Sequence, residues 1–153
     1  MTEILLSFSN PTFAAYATYG TILLVKMILL LIMTSYTRIT RKVYSNEEDV
    51  LTFAGKIDIK KALAKNNSIE RIKRCYQNDL ENIIPFLILS CFYILLQPSH
   101  ATALMLFRVF TAARVLHTIT YLLSLQPYRA LCWGVNLSIN LYLSVKILQQ
   151  GVF

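Results

Sequence analysis

Charge is scarce in this chain. Of its 153 residues only 15% are Asp, Glu, Lys or Arg, and only 8 of those are acidic. A water-soluble domain of this size has little reason to be so poor in charge while carrying 56% hydrophobic residues, a mean hydropathy of +0.51 and four separable apolar blocks. A single-domain membrane protein is expected over residues 1–153. Metal-ligating side chains are scarce as well: Cys75, Cys91 and Cys132 are odd in number and lack the spacing of a zinc site, and His100 and the cysteines do not converge on His117, so no metal is expected. Repeats and low-complexity segments are missing. No basic stretch and small-residue cleavage site precede the first apolar block, so Phe13 onward is expected to be a retained anchor and not a removable signal.

The net charge of +7 does not describe a nucleic-acid surface. Ten of the fifteen basic residues fall between Arg38 and Arg74, interleaved with Glu47, Glu48, Asp49, Asp58 and Glu70. The preference of Lys and Arg for cytosolic loops explains that clustering more simply, and no nucleic-acid partner is expected.

Four helical spans are expected at about 12–36, 69–96, 101–123 and 129–147, with a cytosolic loop at about 37–68 and both termini lumenal. Ser9-Asn10-Pro11 suits the start of the first helix. Lys26 lies mid-span, where an ammonium is costly unless it faces a carboxylate, a carbonyl or water, and a structural ion pair is the leading expectation. In the loop, Asn46 is a cap for a turn over Glu47-Glu48-Asp49, Gly55 breaks it, and a short amphipathic helix fits around Ile57–Leu63. Asn66-Asn67-Ser68 matches a glycosylation triplet but falls on the cytosolic side. The second helix is expected to begin after Ser68. Its apolar run, Ile83 to Leu96, is too short to cross a bilayer, which takes about 20 helical residues. The helix must borrow the polar stretch ahead of it, which carries Asn78, Asp79, Glu81 and Asn82 to the bilayer edge. Pro85 inside this helix is expected to kink it or free a carbonyl. The tight Gln97-Pro98-Ser99-His100 turn sends the third helix back antiparallel beside the second.

Helical spacing places Arg74, Asn78 and Glu81 or Asn82 on one face, with Arg71 and Gln77 beside it, and Phe110, Arg114, His117 and Tyr121 on a face of the third helix. Two readings stay open. Arg74, Glu81 and Arg114 form ion pairs that only join helices, or the surplus of cations receives an anionic ligand from the cytosol.

The segment Glu70 to Phe86 (ERIKRCYQNDLENIIPF) is similar to the signature of the membrane-associated proteins in eicosanoid and glutathione metabolism. Arg38 with Arg41–Asp49, Phe107–Tyr121 and Gln126–Leu131 resemble three further segments of that family, so the resemblance runs over nearly the whole chain. It implies an all-α, up-down four-helix membrane bundle that assembles as a homotrimer in endoplasmic-reticulum and outer mitochondrial membranes. Glutathione is then the co-substrate, bound between neighbouring subunits, and the partners are lipophilic electrophiles, lipid hydroperoxides and membrane lipid. Carried over residue by residue, the glutathione contacts would be Arg38, Arg74, Asn78, Glu81, His117, Tyr121 and Arg129. Arg129 would be the catalytic residue that stabilises the thiolate, with Asp49, Arg71, Arg114 and Trp133 in support.

Departures favour the transferase branch over the prostaglandin-forming branch. That branch has an arginine where this chain has Gln77 and a serine where it has Ala130. Val50 stands where mammalian transferases carry a reactive loop cysteine. The expected activity is therefore glutathione conjugation with hydroperoxide reduction. Prostaglandin E synthesis, or a non-enzymatic membrane protein held together by its polar stripes, are the alternatives.

Overall fold

A computed structural model describes residues 5–53 and 58–151, and among the described residues there is no strand. Among them six helices follow in order: α1 (Pro11–Arg41), α2 (Glu47–Phe53), α3 (Ile59–Ala62), α4 (Asn67–Leu95), α5 (His100–Leu122) and α6 (Gln126–Leu148). Of these, α1, α4, α5 and α6 are long and apolar enough to cross a membrane.

Local chemistry sets the helix ends. Asn10 caps α1, its side chain accepting from the Thr12 amide with Pro11 in the first turn. The helix runs on past Tyr36 to Arg41 because no breaker intervenes, and Lys42, in the left-handed region at φ 52°, closes it over the Arg38 and Ile39 carbonyls. Ser68 does not open the next long helix. Asn66 does, its side-chain oxygen accepting from the Ser68 and Ile69 amides. Ser99 caps α5 at the Thr102 amide. Gln97 (φ 50°) and Ser124 (φ 65°) make the other two reversals, so three non-glycine residues take the left-handed turns between long helices.

Between α1 and α4, α2 and α3 pack on each other through buried Val50 and Ala62, flanked by Tyr44 and Leu63, and the Tyr44 amide donates to the Ala62 carbonyl at 2.9 Å. The Asn46 amide nitrogen turns toward Asp49 Oδ2 (3.4 Å). The expected short helix is present as α3; Gly55 and Ile57 lie outside the described residues.

The long helices form a bundle in which α4 and α5 each touch both α1 and α6 and also one another, while α1 and α6 do not meet. Its centre is apolar and aromatic. Phe86 and Phe110 stack at 3.7 Å with their planes 6° apart, and Phe107 stands edge-on to Phe86 at 6.0 Å, an arrangement that adds about 0.5–1.5 kcal/mol per pair beyond burial. The outer face of α1 exposes Ile22, Leu24, Val25, Ile28, Leu29 and Ile32, a surface suited to lipid or another apolar face and not to water.

The mid-span lysine has its carboxylate. Lys26 Nζ lies 2.5 Å from Asp79 Oδ2, and Asp79 Oδ1 lies 3.6 Å from Arg114 Nη1, with Asp79 and Arg114 fully buried. In the two turns before Pro85, α4 carbonyls accept side-chain donors: Asn82 Nδ2 and Arg114 Nη1 on the Asn78 carbonyl, and Asn140 Nδ2 of α6 on that of Asn82.

Candidate functional site

The polar stripe of α4 is rotated by about one residue from the expected one. Its buried side runs Ile72, Cys75, Asp79, Asn82, Ile83, Phe86 and Ser90, the three-and-four spacing of a helix face. Arg74, Gln77 and Glu81 fall on the adjacent exposed side, and Asn78 sits half-buried on the boundary. The ion pairs pictured among Arg74, Glu81 and Arg114 therefore do not form within the chain. Glu81 accepts from Gln77 (3.3 Å), and the carboxylate opposite Arg114 is Asp79. The cause is angular: successive helical residues are about 100° apart, so Asp79 takes the core position and leaves Glu81 outside.

On α5 the expected face is the buried one as far as His117. Phe110, Arg114 and His117 are buried and Tyr121 half-buried. Arg114 spans to α4, donating from Nη1 and Nη2 to Asn78 Oδ1 at 3.2 and 3.1 Å. His117 and Tyr121 are neighbouring rings, 5.5 Å apart. Just past the α5–α6 turn, the Arg129 guanidinium lies over the Tyr121 ring, 4.6 Å from its centre, within cation–π range. Arg71 Nη1 reaches the Tyr121 carbonyl at 3.4 Å and the Ser124 hydroxyl, tying the start of α4 to this turn.

These residues enclose a cleft of about 330 Å³ lined by Asn78, His117, Tyr121, Gln126, Arg129, Ala130 and Trp133. It combines two amides, an imidazole, a phenol, a guanidinium and an indole, an inventory able to grip a peptide-sized anion by hydrogen bonds and charge. Gln126 is the member that sequence reasoning passed over; its place in the Gln126–Leu131 segment was the available signal.

Not every expected residue is here. Arg38 and Arg74 line a separate groove of about 540 Å³ between α1 and α4, with Lys73, Tyr76 and Gln77. Glu81 lies on the exposed side of α4, and Asp49 in the first turn of α2 faces Asn46. Within one chain Arg38 and Arg74 are thus apart from Asn78, His117, Tyr121, Arg129 and Trp133, Glu81 and Asp49 line neither opening, and Arg114 and Arg71 lie behind the cleft.

Four membrane-length helices, with a cationic and aromatic cleft at the α5–α6 turn, define an integral membrane protein of the all-helical class. More particularly, the chain belongs to the MAPEG family, whose model matches residues 16–149. It is 40% identical over 154 residues to microsomal glutathione S-transferase 1 of Homo sapiens, covering 100% of this chain and 99% of that protein. The Rattus norvegicus protein of the same name is 39% identical over 145 residues, 94% of each chain. Prostaglandin E synthase of Homo sapiens is 35% identical over 126 residues, 82% of this chain and 80% of that protein.

Proposed function

We propose that this protein is a membrane-bound glutathione transferase that holds glutathione as its thiolate and adds it to lipophilic electrophiles. The observation that carries the reading is Arg129 held over Tyr121 in the cleft with Asn78 and His117; full-length similarity to glutathione S-transferases supports it. A free thiol of pKa about 8.5 is only a few per cent ionised at neutral pH. A guanidinium beside the sulfur favours the thiolate, which is the nucleophile. Tyr121 supports the Arg129 cation from one face and leaves its N–H edges for the sulfur. Asn78 and His117 supply hydrogen bonds for the peptide, and the Trp133 indole offers a wall for its apolar part. The thiolate attacks the electrophilic carbon of an aryl halide, a C–S bond forms and halide leaves. With a lipid hydroperoxide the sulfur attacks the distal oxygen, the O–O bond breaks and the alcohol leaves. A second glutathione then yields the disulfide and water.

In this reading α1, α4, α5 and α6 are the spans of one domain in up-down order. Support for that order comes from the Thr12–His100 contact at 3.2 Å, between the starts of α1 and α5, and from the Tyr16 hydroxyl, near the start of α1, donating to the Leu87 carbonyl in the later half of α4. The chain forms a homotrimer, with Arg38, Arg74 and Glu81 of one copy and Asp49 completing the cleft of another. Support comes from Arg38 and Arg74 lining a groove apart from the cleft that holds Arg129. The membrane is that of the endoplasmic reticulum, as "microsomal" in the relatives' name suggests, and the outer mitochondrial membrane, with both termini lumenal and α2–α3 in the cytosol. Ala130 brings no hydroxyl to the cleft wall, which disfavours prostaglandin E synthesis.

The test is purified protein with a model aryl halide, with an organic hydroperoxide alongside, following glutathione. Consumption of glutathione with conjugate formation supports the transferase. A prostaglandin endoperoxide turned over with glutathione returned unchanged would favour the synthase, and absence of glutathione binding would favour a non-enzymatic protein.

A further inference from the structure

Asn78 is held from behind by a chain of buried charges. Both acceptors of the residue are taken by one guanidinium: Arg114 Nη1 and Nη2 donate to Oδ1 at 3.2 and 3.1 Å, and Nη1 donates to the Asn78 carbonyl at 3.2 Å. An amide has nearly the same shape either way round, and a donor-only partner decides which end faces it. Arg114 therefore holds the oxygen, and Nδ2, which donates to no described residue, remains for the cleft that Asn78 lines.

Behind Arg114 stands Asp79, which could take the guanidinium for itself. It meets Arg114 only at ion-pair range, Oδ1 to Nη1 3.6 Å, while Lys26 Nζ holds the other oxygen, Oδ2, at 2.5 Å and restrains the carboxylate there. Neither Lys26, Asp79 nor Arg114 lines the cleft.

We propose that Lys26, Asp79 and Arg114 are positioning residues for ligand recognition. Lys26 restrains Asp79, Arg114 stays on Asn78, and the Asn78 amide presents its NH2 to an acceptor oxygen, a peptide carbonyl or carboxylate, of the bound peptide thiol. The inference rests on the glutathione reading and adds to it a reason why a lysine in the middle of the first span controls binding at the far side of α4.

The experiment uses the full chain in detergent or nanodiscs and measures glutathione binding by calorimetry, with KM for glutathione and kcat at saturating aryl halide. Wild type is compared with Lys26→Met and with the double variant Lys26→Met/Asp79→Asn. Lys26→Met frees Asp79 to draw Arg114 away, so KM should rise about tenfold or more, the scale of one lost charge-assisted contact. At saturation kcat should stay within about twofold, because Arg129 is untouched. The double variant removes the competing carboxylate and should return KM to within about threefold of wild type. Lys26→Gln, which offers Asp79 a hydrogen bond without charge, repeats the comparison if Lys26→Met does not fold.

A wild-type KM in the single variant, or a double variant no better than the single, overturns the positioning role. So does a parallel loss of kcat, binding and thermal stability, which marks Lys26 as structural only. A wild-type protein that binds no glutathione overturns the transferase reading and this inference together.

Discussion

Asp79→Asn should cost this bundle more than any other single amide-for-carboxylate exchange. Asp79 is fully buried between Lys26, whose side chain is 11% exposed, and Arg114, which is not exposed at all. Removing its charge leaves two cations facing each other in the core, and breaking a buried pair in this way costs about 3–5 kcal/mol. For a chain of this length each kcal/mol moves the midpoint by about 2–4 °C, so a drop of about 10 °C is expected. Glu81→Gln is the control, because Glu81 is exposed and its side chain accepts from Gln77, itself exposed; it should change stability by no more than about 0.5 kcal/mol. The assay is thermal unfolding of purified protein in one detergent, followed by helical circular dichroism. Equal shifts for the two variants, or a larger one for Glu81→Gln, would refute the assignment of Asp79 as the carboxylate that neutralises the core. Glu81→Gln should instead lower glutathione affinity, which separates a ligand contact from a structural one.

Other substitutions probe packing and site separately. Tyr121→Phe should keep Arg129 in place, whereas Tyr121→Leu removes the ring beneath it and should weaken glutathione binding by about 0.5–2 kcal/mol, read by calorimetry. The two helical glycines should differ in sign: a Cβ at Gly20 meets Leu87 Cδ2 at 3.0 Å, while one at Gly134 meets nothing within 4 Å. Gly20→Val should lower stability through overpacking, by about 1–3 kcal/mol, and Gly134→Ala should raise it by up to about 1 kcal/mol. Thiol alkylation should not activate through the loop, because Val50 there is buried against Ala62; activity before and after N-ethylmaleimide checks this, and strong activation lost on Cys75→Ser would show a switch at Cys75.

Helix number, the capping role of Asn10, the partner sought by Lys26 and the α5 face were all legible, because each follows from a local rule: a cap needs an acceptor, a mid-span ammonium needs a carboxylate, and a helix repeats every three or four residues. The α4 face was harder. Arg74-Asn78-Glu81 and Cys75-Asp79-Asn82 are both regular stripes, and which one turns inward depends on what α1 and α5 offer opposite. Lys26 and Arg114 bind a carboxylate, and Asp79 stands at their level. Gln126 was missed for a different reason, since the helix was expected to start at Arg129 and not at Leu125-Gln126, one turn earlier. The division of Arg38 and Arg74 from Arg129 was beyond a single sequence altogether, because spacing along a chain carries no information on which groove each helix end faces.

The measurement closest to the central claim is the ultraviolet thiolate band that appears when glutathione is added to the purified protein at neutral pH, in wild type and in Arg129→Ala. At about 4 Å and an effective dielectric near 20 a guanidinium stabilises a thiolate by about 4 kcal/mol, and about half of that should survive at the half-exposed Arg129. Wild type should therefore show the band at pH 7, with the bound thiol about 1–2 units more acidic than free glutathione. Arg129→Ala should lose the band at pH 7 and regain it only as the pH rises toward the free thiol's range. An undiminished band in Arg129→Ala, or none in wild type that binds glutathione, would contradict the assignment of this cleft as the place where the thiolate is made.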